Sequence, residues 1–239
     1  MTVHNLPNLS LLDNPIWNAL TTNHAAIALG AGIGQDRARR YPSEIGPLSA
    51  LREPTPAAYE DLATITPAGD VAVLFLEEKS ALPAGWELLR DGTLIQMICP
   101  TAPEPPEADS PLLPLTPQDY PEMLELATLT EPGPFRERTA DLGGFLGVRI
   151  DGRLAAMAGQ RLSLEGFAEI SAVCTHPDVR GRGCAQALVA HVARNIHASG
   201  RIPFLTSYDH NLGAIHVYKR LGFVARRRFY LVAARPPAA

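Results

Sequence analysis

The chain has 239 residues, of which 46% are hydrophobic and 19% charged, a balance typical of a globular protein with a packed core and not of a disordered one. A formal net charge of −4 argues against nonspecific binding of nucleic acid, and no apolar run approaches the roughly 18 residues that a membrane span requires. The N-terminus lacks a basic region followed by an apolar stretch, so we expect a cytoplasmic protein without a signal peptide.

The first half of the chain contains few clear elements. A helix is predicted to begin at Asn14-Pro15 and to run through Leu29, and strands are predicted at Val71–Glu77 and Thr93–Ile98. Residues Thr55–Thr64 resemble Thr116–Thr128 in sequence, which leaves open a degenerate duplication of the second half.

A proline-rich stretch separates the two halves. Seven prolines lie between Pro100 and Pro117, and proline at this density cannot continue a helix or a central strand. The stretch is therefore predicted to be a semi-rigid linker. It divides the chain into an N-terminal α/β portion, residues 1–105, and an α/β domain, residues 106–239.

The second half has a mixed α/β order. Helices are predicted at Tyr120–Leu129, Ala185–Ala198 and Leu212–Leu221. The predicted strands are Phe145–Ile150, Leu154–Leu162, Phe167–Thr175, Pro203–Ser207 and Phe229–Ala233. Asp151-Gly152 lies between the first two strands and is typical of a hairpin turn.

The turn between Phe167–Thr175 and the following helix contains Gly181 and Gly183. A glycine-containing turn that opens a helix directs free N–H groups and the positive end of the helix dipole at one point, which predicts an anion site, most often for phosphate. It is not a P-loop, because no Lys follows Gly183. It is not a dinucleotide fingerprint either, because the third glycine is absent.

Two motifs carry a resemblance to one family. Arg180-x-x-Gly183-x-Ala185 resembles the [QR]-x-x-G-x-[GA] signature of the GCN5-related N-acetyltransferases (GNAT). Asn211-x-x-Ala214-x-x-x-Tyr218-x-x-x-Gly222-Phe223 resembles the pattern that follows the fifth strand of the same family, and the predicted elements between the motifs are in the family's order. The chain thus resembles a GNAT acetyltransferase of the FR47-like type, which implies a mixed, mostly antiparallel sheet flanked by helices.

The resemblance implies acetyl-CoA as the acyl donor. Its pantetheine arm would pair like an added strand with Val173–Thr175, and its pyrophosphate would lie on the backbone amides of residues 181–186. A backbone N–H near Val173 would polarise the thioester carbonyl. The cofactor-binding residues are then Val173, Cys174, Thr175, Arg180, Gly181, Arg182, Gly183, Cys184, Ala185, Gln186, Asn211, Ala214 and Tyr218.

Acyl transfer to an amine requires a neutral amine, a stabilised carbonyl oxygen and a leaving thiolate that is protonated or tolerated. Tyr218 matches the family tyrosine that protonates the leaving sulfur. The alternative interpretation is that Tyr218 is a core aromatic residue on a short helix. Asn211 would bind the pantetheine arm, serve as a helix N-cap, or both. Cys184 as an acylated nucleophile is a further alternative, although it lies in the phosphate turn. No His or Cys cluster indicates a metal.

Glu169 is the candidate general base. Strand alternation predicts that it lies on the same side as Ser171, Val173 and Thr175, facing the cofactor. The alternative is a glutamate at a strand edge or on the surface. Some relatives carry a glutamate on the strand before the Asn211 position, but here that place holds Thr206, which cannot act as a base.

We therefore predict an acyl-CoA-dependent N-acyltransferase that transfers acetyl from acetyl-CoA to a primary amine of a small molecule. A protein N-terminus or lysine is an alternative acceptor, and a non-catalytic acyl-CoA-binding sensor is an alternative of a different class. Residues 1–105 are expected to form a lid or an acceptor-side wall. The expected partners are acetyl-CoA and the amine acceptor, with no nucleic acid, no membrane and no metal, for a monomer or a homodimer.

Overall fold

The computed structural model describes residues 7–32, 36–106 and 111–237. Within these ranges the chain forms five α-helices: α1 (Pro15–Thr21), α2 (Pro56–Ile65), α3 (Tyr120–Thr130), α4 (Cys184–Ala198) and α5 (Leu212–Arg220). The strands are β1 (Ala38–Arg40), β2 (Ser49–Leu51), β3 (Ala72–Leu76), β4 (Glu87–Ile98), β5 (Leu113–Leu115), β6 (Phe145–Ile150), β7 (Arg153–Leu164), β8 (Phe167–Thr175), β9 (Ile202–Tyr208) and β10 (Val224–Arg235).

Eight of these strands form one sheet in the order β3-β10-β4-β9-β8-β7-β6-β5, and β1 and β2 form a small antiparallel pair. Every neighbouring pair in the large sheet is antiparallel except β8 and β9, which run parallel. The predicted mixed, mostly antiparallel sheet flanked by helices is confirmed.

The elements of the second half follow the predicted order. Strands β6 and β8 have the predicted bounds, and the hairpin turn is confirmed because Asp151 and Gly152 both have positive φ, 50° and 80°. Strand β10 is longer than predicted. Its N-terminal residues are polar, but β4 pairs with them along most of their length.

The first half departs more from its prediction. Helix α1 ends at Thr21 and not at Leu29, because Thr21 and Thr22 turn their hydroxyls back onto the carbonyls of Trp17 and Asn18 and a new turn follows. Helix α2 was not predicted, although Thr55 caps it by accepting from the Ala58 amide at 3.3 Å.

The proline-rich stretch is not a boundary in the sheet. Strand β4 of residues 1–105 pairs with β10 on one side and with β9 on the other, and β3 pairs with β10. Strand β5 itself lies within the stretch and holds Pro114 at the outer edge of the sheet, where a missing N–H is tolerated. Residues 1–105 and 106–239 therefore share one sheet.

The two faces of the sheet have separate cores. Helix α4 places Leu188, Val192 and Ile196 against one face, together with residues of α5. The opposite face is covered by α1, with Tyr41 and Phe229 among the fully buried side chains, and by α3. We call these the α4 face and the α1 face.

Residues 106–239 expressed alone are expected not to fold, because without β4 both β9 and β10 lose a neighbour and expose unpaired edges. Circular dichroism and size-exclusion chromatography of this fragment measure the effect. As the control, co-expression of residues 1–105 with 106–239 should restore a soluble complex. A monomeric 106–239 fragment with cooperative thermal unfolding would contradict the expectation.

Candidate functional site

Strands β8 and β9 separate in the middle of the sheet. They pair only at Phe167–Ile202, Ala168–Pro203 and Glu169–Phe204, after which β8 continues to Thr175 and β9 to Tyr208 without further pairing between them. A cleft of about 330 Å³ opens there and is lined by residues of both strands. An extended ligand can add to unpaired strand edges of this kind through main-chain hydrogen bonds.

A β-bulge accompanies the separation. Met157 pairs with Cys174 and Gly159 with Ser171, so β8 has one more residue than β7 in this interval, and Ala172 has a φ of +50°. Such an extra residue bends its strand and increases the local twist. The bulge thus lies where β8 departs from β9.

The bulge makes the predicted position of Glu169 wrong. Ile170 packs in the core of the α4 face, and Val173 packs against the same core, although uninterrupted alternation would put residues three apart on opposite sides. Since Glu169 alternates with Ile170, it faces the α1 face and not the side of Val173. The alternation of side chains between the two faces of a strand, which has a period of two residues, is therefore interrupted at the inserted residue, Ala172.

Glu169 is held in a buried network. Its carboxylate is fully buried and accepts hydrogen bonds from Arg161 Nε at 2.8 Å, from Arg161 Nη2 at 2.9 Å and from Thr206 Oγ1 at 2.8 Å. Burial lowers the pKa of the Arg161 guanidinium and Glu169 raises it, with a net rise above its ordinary value. A general base must reach the proton that it takes, and here Arg161 and Thr206 line the cleft while Glu169 lies behind them.

The predicted anion site has the expected local geometry. Gly183 is the N-cap of α4 with a φ of +76°, and Gly181 has a φ of +81°. A Cβ atom at either position would meet nothing within 4 Å, so the turn is open on that side. The first-turn amides of α4 have no partner within the helix and are free for a ligand.

Helix α5 contributes Asn211, Ala214 and Tyr218 to the cleft. The N-cap role of Asn211 is confirmed, since its Oδ1 accepts from the Ala214 amide at 3.3 Å. Tyr218 is 7% exposed, and its hydroxyl has no hydrogen-bond partner among the described residues. Burial, with a smaller contribution from Cys174, raises the pKa of Tyr218 to about 12.

The remaining predicted residues divide into two groups. Those that line the cleft are Val173, Cys174, Thr175, Arg180 and Ala185. Those in the turn and the start of α4 that do not line it are Gly181, Arg182, Gly183, Cys184 and Gln186. The Thr175 hydroxyl is buried without a partner, and burial raises the pKa of the Cys174 thiol to about 12.

A second cavity of about 440 Å³, which we call the chamber, adjoins the cleft on the α1 face. The two share part of their lining, namely Glu131, Gly133, Pro134, Tyr208 and Leu231. Phe75 and Leu94 from the first half line the cleft, and Arg90 lines the second cavity. The site is therefore continuous from the turn before α4 to a chamber walled partly by residues 1–105.

Sequence reasoning missed Arg161, Glu131 and the chamber. A signal exists for Arg161, because a charged residue inside the mostly apolar strand β7, away from its exposed first residue Arg153, indicates either a buried ion pair or a ligand contact. Glu131 follows α3 in the Pro- and Gly-containing loop of residues 131–134, where no motif distinguishes it. In the described ranges, no helix is long and apolar enough to cross a membrane and no group of three or more His, Cys, Asp or Glu is placed to hold a metal.

Comparisons with known proteins agree with this geometry. A family model described as an FR47-like protein matches residues 145–232. A GNAT-family protein from Novosphingobium aromaticivorans is 38% identical to this chain, with a TM-score of 0.84 and coverage of 95% of this chain and 99% of that chain.

More distant structures share the fold. A GCN5-related N-acetyltransferase from Kribbella flavida is 21% identical, with a TM-score of 0.57 over 84% of this chain and 86% of that chain. A GCN5-related N-acetyltransferase-like protein from Streptococcus suis is 17% identical, with a TM-score of 0.58 over 83% and 84% of the two chains. A search of the curated proteins gives no match.

Proposed function

Because this chain belongs to the GCN5-related N-acetyltransferase (GNAT) family, we propose that it transfers an acetyl group from acetyl-CoA to a primary amine of a small molecule. The single observation that carries this proposal is the cleft between β8 and β9, which is lined by Tyr218 and by Arg180 and Ala185, the residues on either side of the glycine turn before α4. An acyl-CoA has the same order of parts: a pyrophosphate, an extended amide arm and a thioester.

The residues present fit the donor. The open side at Gly181 and Gly183 leaves room for a pyrophosphate beside the first-turn amides of α4. The Thr175 hydroxyl is a buried polar group without a partner, and a pantetheine amide would satisfy it. Asn211 lines the same cleft, and its amide nitrogen has no partner among the described residues, so it is available to the arm.

Tyr218 would act on the leaving sulfur. Its raised pKa keeps the phenol protonated at neutral pH, so its O–H is available to donate to the thiolate as the C–S bond breaks. The transfer leaves a phenolate on Tyr218, and the proton that the attacking amine loses when the amide bond forms returns the phenol to its neutral state, so that no unpaired charge remains in the buried site, where it would be costly. Unpaired backbone N–H groups of β8 near Val173 would stabilise the carbonyl oxygen.

The acceptor would enter from the chamber on the α1 face. A cavity of about 440 Å³ is within the size range of small-molecule sites, and this supports a small amine over a polypeptide chain. Residues 1–105 would then serve as the acceptor-side wall, through Phe75, Arg90 and Leu94.

Turnover with acetyl-CoA and a panel of primary amines tests the proposal, with release of free thiol as the readout. Calorimetric titration with CoA should give one site per chain. Binding of CoA without thiol release for any amine would favour the non-catalytic acyl-CoA sensor.

Gly183→Asp is expected to weaken CoA binding by about a hundredfold, because it places a side chain and a negative charge against the pyrophosphate. Isothermal titration measures the change. Gly200→Asp is the matched control, since Gly200 follows the other end of α4 with a φ of +78° and equally open surroundings. Equal CoA affinity of the two variants would show that the turn before α4 is not part of the site that binds the acyl donor.

A further inference from the structure

Arg161 presents a cation to the cleft that the proposed acyl transfer does not use. Its side chain is 9% exposed, and Glu169 holds Nε and Nη2. The third nitrogen, Nη1, has no hydrogen-bond partner among the described residues. Unlike the Thr175 hydroxyl, Nη1 is not completely buried. Arg161 lines the cleft from the α1 face, and Nη1 is the guanidinium nitrogen that Glu169 leaves available to a ligand there.

Two more arginines line the adjoining chamber, Arg90 and Arg136. The Arg90 guanidinium lies 5.8 Å from the ring centroid of Tyr208, which lines both cavities. The Arg136 backbone is fixed by its N–H bond to Thr139 Oγ1 at 2.7 Å. Neither guanidinium has an ion-pair partner among the described residues, whereas most other arginines there are paired.

The charge of the acceptor side is therefore positive in a chain whose net charge is −4. Arg161 is partly neutralised by Glu169, but Arg90 and Arg136 are not. Glu131 is the one carboxylate among the described residues that line the two cavities. A wall with free guanidinium groups and a single carboxylate complements a ligand that carries both an anion and an ammonium group.

We propose that the acceptor is a primary amine that also carries a carboxylate, as an amino acid does. Arg161, with Arg90 and Arg136 nearer the entrance, binds the carboxylate, and Glu131 attracts the ammonium form of the amine. This inference rests on the proposed function and names the substrate class of the same site.

The test uses matched acceptors with the wild-type protein. For each of a set of amino acids, thiol release from acetyl-CoA is measured with the free acid, with its carboxamide and with the decarboxylated amine. The value of kcat/KM is expected to be at least about tenfold higher for the acid, the effect of one charge-assisted hydrogen bond or more. Equal or higher kcat/KM for the carboxamides would overturn the inference.

A double variant, Arg90→Gln with Arg136→Gln, tests the assignment without disturbing the buried pair of Arg161. The acid-to-carboxamide ratio of kcat/KM is expected to fall by about fivefold or more, mainly through KM for the acid. Arg153→Gln is the control, because Arg153 is exposed on the β6–β7 hairpin and lines neither cavity. An unchanged ratio in the double variant would overturn the role of these arginines.

The inference and the proposed function fail differently. Turnover of uncharged amines with no preference for carboxylates would leave the acetyltransferase proposal intact and overturn the acceptor class alone. An absence of CoA binding and of thiol release with every amine would overturn both.

Discussion

Replacing Tyr218 with phenylalanine is expected to lower kcat by about 10² to 10⁴ with little change in the affinity for acetyl-CoA. Tyr218 lines the cleft, and the substitution removes only its hydroxyl, which has no hydrogen-bond partner among the described residues. The ring packs in the core of the α4 face, and phenylalanine retains that packing. Burial raises the pKa of the phenol far above neutral pH, so its loss should not shift any pKa of the kcat profile near neutral pH.

Steady-state kinetics and CoA titration of Tyr218→Phe measure these quantities. Tyr59→Phe is the matched control, because Tyr59 is another buried tyrosine but packs in a different core cluster and does not line the cleft. If Tyr218→Phe retains wild-type turnover, Tyr218 is a packing residue and the leaving thiolate departs without a protein acid.

Glu169→Ala is expected to lower the free energy of unfolding by about 3–5 kcal/mol, because it leaves the Arg161 guanidinium buried without its partner. Urea unfolding followed by circular dichroism measures the loss. The double variant Glu169→Leu with Arg161→Met should recover most of the stability, since two apolar side chains avoid the cost of burying charge. A single variant as stable as the wild type would show that the network does not contribute to stability.

Glu169→Gln separates the structural role from the catalytic one. If Glu169 were the general base, the amide would depress the rate most at low pH, where the amine most needs a proton acceptor. We expect the form of the pH–rate profile to be retained, because Glu169 lies behind Arg161 and Thr206 and does not line the cleft. A flattened profile would restore Glu169 as the base.

Local features could be predicted from the sequence because they depend on neighbouring residues. The turn with Gly181 and Gly183, the apolar stripe of α4 and the Asn211 cap each need only a few adjacent residues to form. The hairpin at Asp151-Gly152 is similar, since the turn type requires positive φ at both positions. Strands β6 and β8 were predicted with their observed bounds for the same reason.

Only the tertiary structure decided which distant residues meet. The sequence by itself determined the family, the sheet class and the position of the proposed donor turn. It did not determine that β4 lies between β9 and β10, because strand pairing across the proline-rich stretch has no local signature. It also placed Glu169 on the wrong face, because one inserted residue at Ala172 reverses the alternation and only pairing with β7 reveals the insertion. Long-range pairing and burial, and not local preference, therefore brought Arg161, Glu131 and the cavity on the α1 face together.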